Sequence, residues 1–142
     1  MVHFPTILIF LLSACTLTLA HNFDWNCKKS PGPCNNACYA ANCRNHGPPL
    51  TFDAGISHRP RRRRDSGCAR NPCSNNSLPY SSFGDSCDEF PFASTQEGGK
   101  GAILRCVDRS ENSSEGGQLR AFYRSLNDGD EFGILMRNYA GA

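Results

Sequence analysis

The chain has 142 residues, with 15 Lys+Arg against 13 Asp+Glu, 9 Cys, 13 Gly and 9 Pro. That length suits one domain and excludes a second independent core. Hydrophobic content of 39% excludes a wholly disordered chain, and no apolar run after residue 20 is long enough to span a bilayer. The net charge of +2 is a balance of opposites, and 12 of the 15 basic residues are Arg.

Pro5–Ala20 reads PTILIFLLSACTLTLA, an apolar stretch ending in small residues, with Thr18 and Ala20 at −3 and −1 of a cleavage point. Residues 1–20 therefore read as a secretory signal, although their leading segment offers only His3 as a base. An uncleaved anchor fits less well, because the apolar stretch is short and no basic flank follows. The expected mature chain is His21–Ala142, extracellular and free of membrane. It keeps eight cysteines: Cys27, Cys34, Cys38, Cys43, Cys68, Cys73, Cys87 and Cys106. An even set in a short secreted chain predicts a disulfide framework of up to four bridges, with the pairing open. The competing use is zinc at Cys34, Cys38 and Cys43, which an oxidising compartment disfavours. Sequons at Asn75 and Asn112 are candidate glycosylation sites.

In chain order, residues 21–83 form a cysteine-rich N-terminal region. Cys34–Cys43 predicts one or two helical turns, packed as a small cap. Gly47–Asp65 reads as an exposed loop, with Pro48-Pro49, Pro60 and the run Arg61-Arg62-Arg63-Arg64. Residues 84–142 form the expected core, and the cysteine-rich first half is expected to wrap it. Gly101–Val107 is a short apolar run read as a buried strand. Glu115–Leu126 places Leu119, Phe122, Tyr123 and Leu126 on one helical face. Asn127-Asp128-Gly129-Asp130 stops that helix, and Glu131–Arg137 is a second strand. The expected fold is α+β: a small disulfide-rich single domain with a short β-sheet packed on one main helix.

Ser86–Ala102, SCDEFPFASTQEGGKGA, is unlike the rest. Asp88, Glu89 and Glu97 put three carboxylates beside Lys100 and a glycine-rich stretch. Such a cluster suits a hard divalent cation held through oxygen. A carboxylate not used as ligand can take a proton from water if the neighbouring Phe90 and Phe92 raise its pKa. The plainer reading is a solvated acidic turn followed by a hairpin loop.

The block from Cys87 to Ala102, CDEFPFAS-x2-EGGKGA, resembles the signature of the NucA/NucB family of secreted non-specific deoxyribonucleases. The resemblance continues through Glu111-Asn112, Gly116–Leu119, Phe122-Tyr123 and Gly129-Asp130-x-Phe132. The spacing around Cys34, Cys38, Cys68 and Cys73 is similar to the fungal cysteine-rich branch. This resemblance implies a metal-dependent endonuclease that hydrolyses DNA with little sequence specificity, and the expected partner is a DNA substrate acted on by a monomer. It implies Glu89 as general base, Asp88 and Glu97 holding Mg²⁺ or Mn²⁺, and Asn112 or Gln118 completing the shell. Lys100 would meet the anionic substrate. Where bacterial members carry Asp-Arg before the acid pair, this chain has Ser86-Cys87, so Arg105 is a candidate replacement.

Other uses compete. The Arg61–Arg64 run, with Arg59, can hold phosphates, mark a processing site or be idle charge. His46 and His58 are alternative bases, but the plainer reading is exposed loop histidines. His21 as an N-terminal copper ligand would need a second His and a larger sandwich. Tyr39, Trp25 and Tyr80 can stack on bases, but in so small a domain aromatics serve more often as core. The rival function is a non-enzymatic secreted cysteine-rich effector or toxin-like binder, which has no need of the acid trio. A nuclease acting mainly on RNA is a third reading, and nothing here recognisably reads a 2′-hydroxyl.

Overall fold

The structure is a computed structural model that describes residues 21–74 and 81–140. The signal segment, Cys15, the Asn75 sequon and Tyr80 lie outside the described residues. In chain order the elements are β1 (His21–Asn26), α1 (Pro31–Arg44), β2 (Leu50–Thr51), α2 (His58–Ser66), β3 (Ser86–Phe90), β4 (Ile103–Val107), α3 (Arg109–Tyr123) and β5 (Glu131–Arg137).

Two small sheets divide the work. In the first, β5 is central, with β1 parallel on one edge and the two-residue β2 antiparallel on the other. The second is the antiparallel pair β3–β4, in which Cys87 faces Cys106 and Asp88 faces Arg105. Phe23, Trp25, Phe52, Phe90, Phe92, Leu119 and Phe132 are all buried in one core. Aromatic rings meet edge-on at Phe90–Phe92 and Trp25–Phe92, which ties the acid-bearing strand to β1. Trp25 also donates its indole N–H to Ser30 Oγ at 2.8 Å, so its polar edge is satisfied inside the core.

The strands at 103–107 and 131–137 fall where the apolar runs place them, and the α+β class holds. Four expectations need correction. Residues 21–83 are not a wrapper, since β1 crosses the chain to pair with β5 and supplies the two largest fully buried side chains, Trp25 and Phe23. α1 is far longer than one or two turns: it opens with Pro31, whose missing N–H costs nothing there, and ends at Asn45 in the left-handed conformation. α3 begins six residues earlier than its apolar face, because Asp108 caps it by accepting Ser110 N–H at 2.7 Å.

The fourth correction concerns the arginine run, which is helix α2 and not a loop. Arg is a good helix former, and Pro60 sits in the first turn, where its absent N–H is tolerated. Mutual repulsion along the run is offset by tertiary partners. Arg62 is buried, with Nη2 at 2.5 Å from Asp53 Oδ2, and His58 Nδ1 lies 2.8 Å from the same oxygen. Burial alone would raise the Asp53 pKa, but the bonds from His58 and Arg62 outweigh it and hold the carboxyl well below its usual range. Proteases bind extended segments, so cutting after Arg64 would require this helix to unfold.

Three disulfides form: Cys27–Cys34, Cys68–Cys87 and Cys73–Cys106. That lies within the expected framework of up to four bridges, and Cys38 and Cys43 are left unbridged. They stand five residues apart on α1, about 140° around the axis from each other, which bars a mutual bond. Among the described residues, no helix is long and apolar enough to cross a membrane.

Candidate active site

β3 carries Asp88 and Glu89, and adjacent strand residues face opposite sides. Asp88 is accordingly directed toward α1, where Asn36 Nδ2 donates to its Oδ2 at 2.8 Å, and toward Glu115 of α3, with which it hydrogen-bonds. Glu89 is directed toward α2: Arg63 Nη1 reaches its Oε1 at 3.3 Å and Ser66 Oγ donates to its Oε2. Cys68–Cys87 links the end of α2 to β3 beside these acids and so holds both partners of Glu89 in place. That bridge gives Cys87 a structural role beside the acids.

The acids open into a cleft of about 330 Å³ between α2, β3 and α3. Asp88, Glu89 and Glu115 are only 3%, 5% and 5% exposed, yet all three line it. Its rim is cationic, with Arg59 and Arg63 from α2 and Arg120 from α3. Phe92, Ala93 and Ser94 form one wall, and Ser94 Oγ is bonded to the Tyr123 hydroxyl at 2.7 Å. The glycines of EGGKG shape that wall. A Cβ on Gly98 would lie 2.1 Å from the Phe92 carbonyl oxygen, and Gly99 has φ +106°. They are a tight turn that presents residues 92–94, and not a flexible cradle.

Burial sets the chemistry. Desolvation pushes Asp88 up to about 6, against the pull of Asn36 and Glu115. It raises Glu89 too, opposed by Ser66 and Arg63. Glu115 rises well above the ordinary range, first through burial and then through the charge of Asp88. Glu115 Oε1 is buried and, among the described residues, has no hydrogen-bond partner. Three carboxylates this close and this dry call for a cation or a shared proton to neutralise them.

Several expected site residues lie elsewhere. Glu97 is not in the cleft: its carboxylate accepts the Thr51 N–H at 3.0 and 3.1 Å, pinning β2. Gln118 is turned to the opposite side of α3, where its Oε1 accepts Asn26 N–H at 2.9 Å. Lys100 is exposed in the glycine turn, away from the lining. Arg105 does not line the cleft, and its guanidinium lies 5.7 Å from the Phe83 ring centre. Of the arginine run, Arg63 reaches the cleft, Arg64 lies beyond it, Arg61 is exposed and Arg62 is committed to Asp53.

Asn112 does line the cleft. Its Nδ2 donates to Ser86 Oγ at 2.8 Å and to the Cys87 carbonyl at 3.1 Å, which leaves Oδ1 as its remaining polar atom. The nitrogen a glycan would need is thus engaged within the fold. Sequence reasoning missed Glu115, Asn36, Arg120 and Ser66. A signal for Glu115 was present: it stands at i of the stripe that continues with Leu119 at i+4 and Phe122 at i+7, a carboxylate on an apolar face. Nothing local marked Asn36 or Ser66.

Among the described residues, no three His, Cys, Asp or Glu side chains are arranged to enclose a metal ion. The donor set nonetheless fits a small hard cation. Asp88, Glu115 and the Asn112 carbonyl are all oxygen donors, and the unpartnered Glu115 oxygen is a place for such an ion. Mg²⁺ characteristically binds through one or two carboxylates while keeping waters for a substrate phosphate.

A comparison with curated proteins finds no match to the chain. Residues 37–135, from within α1 to within β5, match the family described as Deoxyribonuclease NucA/NucB. That span covers the acid strand, the arginine helix and the helix bearing Glu115, and the chain belongs to the NucA/NucB deoxyribonuclease family.

Proposed function

We propose that this deoxyribonuclease is a secreted, metal-assisted endonuclease with little sequence specificity, and that the cleft between α2, β3 and α3 is where it cuts. The observation that carries this reading is the trio Asp88, Glu89 and Glu115, buried together under a rim of Arg59, Arg63 and Arg120. A binder gains nothing from three desolvated carboxylates, each costly to bury. Three disulfides in so short a chain support an oxidising, extracellular setting.

Asp88 and Glu115 would hold Mg²⁺ or Mn²⁺, with Asn112 Oδ1 as a further donor. When bound, the ion supplies positive charge against the phosphate being cleaved. Asn36 fixes the Asp88 carboxylate through its amide proton. Glu89 takes a proton from water: burial increases its proton affinity, and Arg63 and Ser66 set its orientation. Arg59 and Arg120 draw the phosphate in without reading a base, which is why sequence preference is weak. One copy suffices for cutting in this reading, since one chain supplies every one of these groups.

Nicking of plasmid DNA tests this. Wild-type protein should nick with Mg²⁺ or Mn²⁺ and stop on addition of EDTA, and Glu115→Gln should lower the rate by about a hundredfold or more. Well-folded wild-type protein that leaves plasmid intact with every divalent metal would refute the reading.

A further inference from the structure

A second groove adjoins the cleft on the outer side of α2. It is about 660 Å³, floored by Ile56, Pro60 and Ala69 and edged by Arg64 and Arg70. Arg59 and Arg63, one helical turn apart, line both cavities, so the two share a wall. Ile56 is 75% exposed and presents its apolar side chain among the arginines of this groove. Among the described residues, Arg64 and Arg70 make no ion pair, and the buried Arg59 Nε has no hydrogen-bond partner.

We infer that this groove seats an unstacked nucleobase of the DNA strand next to the scissile phosphate. The inference rests on the cleavage reading above. An apolar floor alone would take any greasy ligand, and an arginine rim alone any anion. Together they match a nucleotide, which offers a flat apolar face and a phosphate one backbone step away. The base lies on Ile56 and Pro60, while Arg64 and Arg70 meet the phosphates on either side and can also stack on the ring. Continuity through Arg59 and Arg63 sets the occupant as the strand being cut. A base held there has left its duplex, so the enzyme favours single-stranded or frayed DNA, because a paired base must first be unstacked.

The test is binding, measured in EDTA so that nothing is cut. Fluorescence anisotropy compares a labelled single-stranded oligonucleotide of about 12 nucleotides with an abasic backbone of the same length and charge. Wild-type protein should prefer the base-bearing strand by about tenfold, the worth of one stacked base. Ile56→Ser, neutral and at an exposed position, should shrink that preference to within about twofold, and Ile56→Phe should preserve or increase it. Arg70→Ser should lower the salt slope of binding by about 0.7 for both strands, as one lost phosphate contact does. Equal wild-type affinity for the two strands overturns the inference. So does a preference that Ile56→Ser leaves intact. Plasmid nicking by the wild type is scored separately, so the base seat can fail while the nuclease reading survives.

Discussion

Replacing Asp88 by Asn should make the metal-free protein more stable while destroying its activity. Burial is the main cause that pushes the Asp88 carboxyl up to about 6, above the ordinary range of an aspartate. The folded-state pKa is raised, so the group's contribution to stability is complete below the unfolded value and is lost as pH climbs through about 6. That displacement corresponds to about 3 kcal/mol, fully felt by about pH 7.5. Asn keeps an oxygen to accept from Asn36 Nδ2 and offers an amide proton to Glu115, so the bonds survive while the charge is gone. Urea unfolding with EDTA present, at about pH 5 and about pH 7.5, is the assay. The wild type should lose stability between the two, and Asp88→Asn should be flatter and more stable by about 1–3 kcal/mol at the higher pH. DNA cleavage should fall to background. A variant less stable than wild type at the higher pH, or a wild type with no pH dependence across that window, would refute the claim that Asp88 is held there against its own desolvation.

Other outcomes follow from the same geometry. Asp53 shows the opposite sign: its lowered pKa contributes stability above the unfolded value that disappears as pH falls, so the metal-free protein should be most stable at about pH 4–5. Arg62→Met leaves Asp53 buried with His58 and the Gly55 N–H as its remaining partners and should cost about 3 kcal/mol in urea unfolding; a cost within error of zero would mean the pair is immaterial. Glu97→Gln keeps an acceptor for Thr51 N–H, so plasmid nicking should remain within about twofold of wild type, and a large loss would return Glu97 to the catalytic set. Intact-mass analysis after alkylation without reductant should find two modified thiols, Cys43 reacting before the half-buried Cys38, and four bridges would overturn the pairing seen here.

The class of fold, the strands at 103–107 and 131–137, and the presence of the acid pair Asp88 and Glu89 are legible in the sequence. These are local properties: apolar runs bounded by Gly and Asp, and adjacent acids within a block dense with aromatic residues. The family resemblance was legible for the same reason, because its motif is contiguous. Only the tertiary structure decided which further residues join that acid pair. Glu97 is closer in sequence to Asp88 than Glu115 is, yet the turn at Gly98–Gly99 carries Glu97 toward β2, while the start of α3 at Asp108 brings Glu115 to the acids. The arginine run likewise read as loop because its partners are remote: Asp53 and Glu89 supply the charges that let like-charged neighbours share a helix. Cys38 and Cys43 complete an even count in the sequence, but the helix turns them apart. Spacing along a chain reports what can be near only over a turn or a strand pair. Beyond that range, burial and long-range pairing choose the neighbours, and in this protein they chose the third carboxylate of the site.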